Sequence, residues 1–386
     1  MKVTGDWLTN PATQKVCKAL TEAGHRALFV GGCVRNALLQ APVNDIDIST
    51  DALPEQVIAL SKAAGLNAVP TGIEHGTITV ISSHIPHEVT TFRHDIETDG
   101  RRAVVAFSQN VEDDARRRDF TMNAIYAEPD GTVVDPLGGM EDLKARRLRF
   151  IDAAEDRIRE DYLRILRYFR FHAIYGDPTA GMDPDALAAI AANTDGLSTL
   201  SKERVGSEIK KLLKAPDPAP AVAAMRSTGV LHAILHGTDD KALAPLVYFE
   251  QMLDLSPAPM RRLASLGGVG MTEALRLSKR ESRVLQDLRE GVENTMGPAE
   301  LGYRLGEEAG VSILLLRAAM LELPFNPAGP AEVARGAAAE FPIRPADLMP
   351  DHAGPALGKA LKTLEARWIE CGLTATKSEL LAHLKG

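Results

Sequence analysis

The feature that most restricts what this chain can become is a change of pattern near residue 150. Before it, helix-like and strand-like stretches alternate. TQKVCKALTEAG has the spacing of an amphipathic helix ending at Gly24. RALFVGG is a short apolar strand running into glycines. CVRNALLQ is helical, DIDIS alternates like a strand, and PEQVIALSKAAG is a helix with Pro54 near its start. GTITVIS and HEVTTFR alternate with a period of two. After residue 150 strand signals nearly vanish, and REDYLRILRYFRFHAI, PDALAAIAAN, SKERVGSEIKKLL and PAPAVAAMRSTG all carry helical spacing. The expected architecture is an α/β head followed by an all-α remainder. Residues 216–340 read as helical, and NPAGPAEVARGAAA, from Asn326 to Ala339, is expected to contain a loop or boundary because of its Ala, Gly and Pro content.

Composition narrows the classes. The 386 residues suggest two or three domains, and 45% hydrophobic with 25% charged residues is ordinary for a packed globular chain. Cys17, Cys33 and Cys371 are far apart, odd in number and form no CxxC pair. Neither a disulfide framework nor a zinc site is indicated, and a reducing compartment fits. No apolar run reaches the roughly 18 residues of a membrane span, and the first residues carry no apolar core of a secretory signal. A cytoplasmic location without a membrane partner is therefore expected. The net charge of −8 argues against an indiscriminate nucleic-acid coat, yet leaves room for a local basic groove. The ten histidines form no recognisable metal cluster, and most are expected at the surface.

Chemistry concentrates first between Phe29 and Thr50, FVGGCVRNALLQAPVNDIDIST. Gly31 and Gly32 end a strand and open a helix, where backbone can approach phosphate. Asp45 and Asp47, two apart on a strand, point to one face and repel unless a cation lies between them. Oxygen-only ligands suit Mg²⁺, which also binds substrate phosphates. Glu88, in the strand-like HEVTT, is a candidate third carboxylate.

Two further motifs are rich in arginine. The first, Arg116 to Ala124, reads RRRDFTMNA and is followed by the turn-forming DPLGG at Asp135 to Gly139. The second, Glu160 to Phe171, reads EDYLRILRYFRF. On one continuous helix Tyr162, Ile165, Leu166 and Phe169 form a core stripe. Asp161, Arg164, Arg167 and Arg170 recur every third residue on the other face, where the excess positive charge suits a triphosphate.

GGCVRNALLQAPVNDIDIST, RRDFTMNA, DPLGG and EDYLR together resemble the signature of the class II tRNA nucleotidyltransferase and bacterial poly(A) polymerase family, whose fold is the polymerase-β-like nucleotidyltransferase head with an all-α neck, body and tail. Asn36 and Gln40 stand where that family has Asp and Gly. The resemblance implies a head over 1–143, a neck with a nucleotide-reading template over 144–215, and a tRNA-binding body and tail over 216–386. It implies a Mg²⁺-dependent enzyme that builds the 3′ CCA of tRNA from CTP and ATP, with no DNA partner. The alternatives are an A-only adding enzyme, a poly(A) polymerase, or an inactive RNA- or nucleotide-binding protein.

The same resemblance assigns roles. Asp45 and Asp47 hold metal, with Glu88 beside them; Gly32, Arg35 and Arg118 position the nucleotide; Asp161 and Arg164 read the base; Arg167 and Arg170 bind phosphate or hold the template. An ionised Asp only accepts and an Arg only donates, so the reading pair matches cytosine and adenine and opposes uracil and guanine. Glu203, Arg204 and Glu208 brace the template. Thr91 to Phe107 is similar to the family's mobile loop, and Gly354-Pro355 opens a helix of the tail.

Overall fold

Short runs of β-branched and aromatic residues build the sheet of the first third, and helices cover it. The computed structural model describes residues 1–99, 102–349 and 353–383. The chain forms two compact units, Met1–Ile234 and Leu235–Gly386.

In the first unit the strands are β1 (Leu28–Val30), β2 (Asp47–Thr50), β3 (Asn67–Gly72), β4 (Thr77–Ser82), β5 (Ile85–Thr91), β6 (Arg93–Asp99), β7 (Arg102–Phe107), β8 (Tyr126–Ala127) and β9 (Val133–Val134). Seven of them make one sheet in the order β3-β4-β5-β2-β1-β8-β9, while β6 and β7 form a separate antiparallel ribbon. The segment likened to a mobile loop is thus mostly this ribbon; Gly100 and Arg101 lie outside the described residues. β2 and β5 are the one parallel pair named in the large sheet, and their register sets Asp47 beside Glu88. Leu28, Val30, Phe92, Ala124, Tyr126 and Ile151 form a fully packed cluster behind the central strands. Two of the histidines, His87 and His172, are buried; His87 Nε2 meets Thr13 Oγ1 at 3.0 Å.

The helix expected through Glu160 to Phe171 is two helices, Ala154–Glu160 and Leu163–Tyr175. Asp161 is extended, with φ −153° and ψ 105°, and its Oδ1 accepts the Leu163 amide at 3.1 Å. Aspartate stabilises such a break because its short carboxylate caps the free amides of the next helix. Asp161 therefore does not share a helix face with Arg164, Arg167 and Arg170. The apolar stripe survives: Ile165, Leu166 and Phe169 are buried, joined by Tyr168.

The second unit is helical. The segment Asn326 to Ala339, expected to contain a loop or boundary, has a turn leading into the helix Gly329–Ala337. Its glycines serve contact rather than flexibility. A Cβ at Gly336 would lie 1.9 Å from the Ala299 carbonyl, so this helix and Pro298–Leu305 touch backbone to backbone. Glu250 is buried and accepts from Nε of both Arg261 (2.6 Å) and Arg262 (2.7 Å). The helix Gly354–Glu370 does begin at Gly354-Pro355, and its Leu364 and Trp368 anchor a small apolar cluster with Ile343 and Leu380.

Candidate active site

Asp47 stands in the wall between two concavities of the first unit. One, of about 400 Å³, is lined by Asp45, Asp47 and Glu88 with Asn44, Thr79 and Pro86. The other, of about 450 Å³, is lined by Gly31, Gly32, Arg35, Asp47, Arg117, Arg118, Asp119, Asn123, Asp161, Arg164, Arg167 and Arg204.

The acidic side departs from expectation in one respect. β2 begins at Asp47, so Asp45 is an exposed residue of the preceding loop and not a member of the strand. Proximity survives, carried by the loop and by the β2–β5 register rather than by strand alternation. None of the three carboxylates makes a side-chain hydrogen bond or ion pair among the described residues. Burial raises the Asp47 carboxyl above its ordinary range; Glu88 adds to the rise, Arg118 opposes it, and Asp45 adds again. Carboxylates left unneutralised in a concavity fit a hard divalent cation, which prefers oxygen ligands. Among the described residues, no three acidic, His or Cys side chains are drawn into one metal cage. Asp45 and Asp47, with Glu88 alongside, are the residues that could hold a cation.

The basic side is built by the motif residues. Gly31 adopts φ 69°, a left-handed conformation that a side chain would disfavour, and this turn faces Arg118: a Cβ at Gly31 would lie 3.5 Å from Arg118 Nη1. Arg118 is oriented by Tyr126 Oη (3.1 Å), Asp114 Oδ2 (3.0 Å) and Ser49 Oγ (3.3 Å). Arg167 donates to Asp119 Oδ2 at 2.7 Å, and Asp119 Oδ1 accepts from Asn123 Nδ2 at 2.9 Å. Burial works against ionised Asp119, yet Arg167 and these bonds hold its carboxyl below the usual range.

Asp161 and Arg164, expected to read the base, meet in the same cavity from either side of the helix break. Asp161 Oδ2 accepts from Arg204 Nη2 at 2.6 Å. Arg164 donates from Nη1 to the Arg157 carbonyl (2.7 Å) and to Glu160, and from Nη2 to the Arg117 carbonyl (3.0 Å). Those contacts fix the guanidinium and leave donors on Nε and Nη2 for a ligand.

Two expected nucleotide residues have other partners. Arg35 is only 6% exposed; it donates to Asn36, Asn123 and Tyr175 and lies 4.1 Å from the Tyr175 ring centroid. It lines the cavity, but its bonds tie the helix Gly32–Leu38 to the helix Leu163–Tyr175. Arg170 does not line the cavity. It donates to Glu208 and lies 4.4 Å from the Phe171 ring centroid, bracing the helix Lys202–Leu213, as Glu208 was expected to do. Sequence reasoning missed Arg117, Asp119, Asn123 and Tyr175. The first three were visible inside RRRDFTMNA; Tyr175, beyond the motif, gave no signal.

Comparison with known proteins gives the chain a family. Residues 27–149 match the Poly A polymerase head domain family, and residues 181–241 the family described as probable RNA and SrmB- binding site of polymerase A. The mitochondrial CCA tRNA nucleotidyltransferase 1 of Homo sapiens is 43% identical over 201 residues, 51% of this chain and 46% of that protein. The chain thus spans about half the length of several curated relatives it matches. The corresponding Mus musculus protein is 32% identical over 393 residues, 95% of this chain and 89% of that protein. The chain belongs to the CCA-adding tRNA nucleotidyltransferase family. A crystal structure of the Bacillus stearothermophilus CCA-adding enzyme in complex with CTP aligns with a TM-score of 0.70 at 28% identity, covering 97% of each chain. CCA-adding enzymes are metal-dependent. The departure from the family pattern at Asn36 is accommodated locally: Asn36 Oδ1 accepts from Arg35 Nε and Nη2, and its Nδ2 donates to the Pro42 carbonyl at 2.8 Å.

Proposed function

We propose that this chain completes the 3′ end of tRNA, adding C, C and A from CTP and ATP with release of pyrophosphate. The observation that carries the reading is Asp47 shared between an acidic concavity and a basic one that also holds Asp161 and Arg164. The family membership above supports the same reading.

The triphosphate enters the basic cavity, where Arg118 and the Gly31-Gly32 turn receive phosphate oxygens and Arg167 supplies charge held in place by Asp119. Asp161 accepts the exocyclic amino group of cytosine or adenine, and Arg164 donates to the adjacent ring nitrogen. Uracil and guanine place a carbonyl against the carboxylate and an N–H against the guanidinium. Each unmade buried contact costs about 1–3 kcal/mol. The primer 3′-hydroxyl then attacks the α-phosphate in line: its proton leaves to solvent, a new P–O bond forms and the bond to pyrophosphate breaks. Asp45 and Asp47 would hold Mg²⁺, which when bound would supply activation of that hydroxyl and neutralisation of the leaving charge. The helical C-terminal region holds tRNA through phosphate and shape. Three free cysteines suit the reducing cytoplasm.

The test is primer extension with Mg²⁺ on tRNA ending at the discriminator base, tRNA ending in CC, and unstructured RNA, each with CTP, ATP or both. Three additions to the first tRNA, requiring both nucleotides, are expected. Addition of A alone to the CC-ended tRNA would make it an A-adding enzyme. Long A tails on unstructured RNA would make it a poly(A) polymerase, the reading favoured by the name of its head-domain family.

A further inference from the structure

Asp114 takes no part in the chemistry above, yet its carboxylate is completely buried and is approached from three parts of the head. Tyr126 Oη donates to it at 2.8 Å from β8, and Ser49 Oγ at 3.3 Å from β2. Arg117 Nε and Arg118 Nη2 donate at 2.8 and 3.0 Å from the turn that follows. Burial by itself would push the carboxyl up; Arg118 and Arg117, with the Tyr126 hydroxyl, reverse this and hold it well below the usual carboxylate range. A fixed negative charge at that point has two geometric consequences.

The first concerns Arg118. Its Nη2 is spent on Asp114 and Ser49 and its Nε on Tyr126, so Nη1 is the end turned toward the Gly31 backbone. The second concerns Arg117. With its side chain held by Asp114, its carbonyl receives Nη2 of Arg164 at 3.0 Å and Nη2 of Arg157 at 2.9 Å. Ser49 lies two residues beyond Asp47 on the same strand, so the acidic strand is tied to the same carboxylate.

We infer that Asp114 is a positioning residue for nucleotide addition: one buried carboxylate aims Arg118 at the triphosphate and, through the Arg117 carbonyl, holds Arg164 in its base-reading place relative to Asp47. The inference rests on the CCA-adding reading. Asp114→Asn keeps the volume but turns one acceptor oxygen into a donor facing guanidinium and hydroxyl donors.

The experiment measures addition of a single C to tRNA lacking CCA, titrating CTP and then UTP, with thermal unfolding of every protein. The proteins are wild type, Asp114→Asn, Tyr126→Phe, Arg118→Ala and the Asp114→Asn/Arg118→Ala double variant. Asp114→Asn is expected to raise KM for CTP about tenfold, the scale of one charge-assisted hydrogen bond. It also raises the UTP-to-CTP incorporation ratio, and the double variant loses less CTP binding than the two single changes added together, because only the Arg164 route remains to be lost once Arg118 is gone. Tyr126→Phe, which keeps the buried charge, moves KM in the same direction by less. A folded Asp114→Asn enzyme with wild-type KM and UTP ratio overturns the inference, as does full additivity with Arg118→Ala. Should Asp114→Asn fail to fold, an unchanged KM in Tyr126→Phe overturns it instead. A wild-type chain that adds no C to tRNA overturns the CCA-adding reading and the inference with it.

Discussion

Nη2 of Arg204 lies 2.6 Å from Oδ2 of Asp161, although the two residues are 43 apart in the chain. That contact, with the Leu163 amide on Oδ1, clamps both oxygens of the carboxylate at a helix break. The acceptor proposed to read the base is therefore held by the fold. Preorganised polar groups discriminate strongly because a wrong partner leaves them unpaired.

Asp161→Asn should accordingly weaken selection for C and A. Whichever way the amide lies, its NH₂ group faces either the Arg204 guanidinium or the Leu163 amide, so one clamp is lost. Toward the base it offers a donor, which uracil O4 can accept. Single-nucleotide addition with each of the four triphosphates should show lower efficiency with CTP and a higher share of UTP. Arg204→Ala should move the same ratio in the same direction. An Asp161→Asn enzyme with the wild-type ranking would refute the reading role.

Asp47 makes the opposite trade, between stability and function. Burial and the neighbouring Glu88 raise its carboxyl in the folded protein. A raised carboxylate pKa means the folded state binds that proton more tightly than the unfolded chain. The ionised form therefore costs stability. The cost is absent below the unfolded value of about 3.9, grows as pH climbs through the raised folded value, and is complete above it. Asp47→Asn should abolish nucleotide addition yet raise the Tm of the metal-free protein by a few degrees at neutral pH, the difference closing in acid. Mg²⁺ should raise the Tm of wild type and leave Asp47→Asn nearly unmoved. Equal Tm responses of the two proteins to Mg²⁺ would count against Asp47 as a ligand.

The architecture was legible where periodicity decides it. The apolar runs of β1, β4 and β5 and the buried face of Ile165, Leu166 and Phe169 need only local pattern and burial. Four things were not legible, for physical reasons. The helix break at Asp161 is set by a side-chain cap that competes with helix continuation, and a three-residue spacing of charge conceals it. Asp45 left its strand because its closeness to Asp47 and Glu88 comes from a loop and a parallel register, neither encoded in alternation. Arg35 is expected to position the nucleotide and Arg170 to bind phosphate or hold the template, and a motif position alone does not choose between such roles. Their guanidinium groups are committed to Tyr175 and Glu208, partners far along the chain that only tertiary structure brings near. The Ala-, Gly- and Pro-rich helix near residue 330 hid its regularity because glycine there serves close backbone contact, which local propensity cannot register.

Asn36, where the family has Asp, offers a last test of how charge and geometry trade. Its Oδ1 receives both Nε and Nη2 of Arg35, at 3.2 and 3.0 Å, while its Nδ2 donates to the exposed Pro42 carbonyl. Asn36→Asp loses that donor and sets an oxygen against the carbonyl. It also puts a full negative charge on a guanidinium that burial disfavours. An exposed neutral hydrogen bond contributes about 0.5–1.5 kcal/mol, whereas bonds to charged groups contribute about 1.5–3. The charge should win, so Asn36→Asp should raise the Tm of the first unit, with a net gain of about 1 kcal/mol. The gain should persist in high salt because Arg35 is nearly sealed from solvent. A lower Tm would instead mean that the Pro42 bond, by fixing the turn that leads into Asp45, matters more than the charge on Arg35.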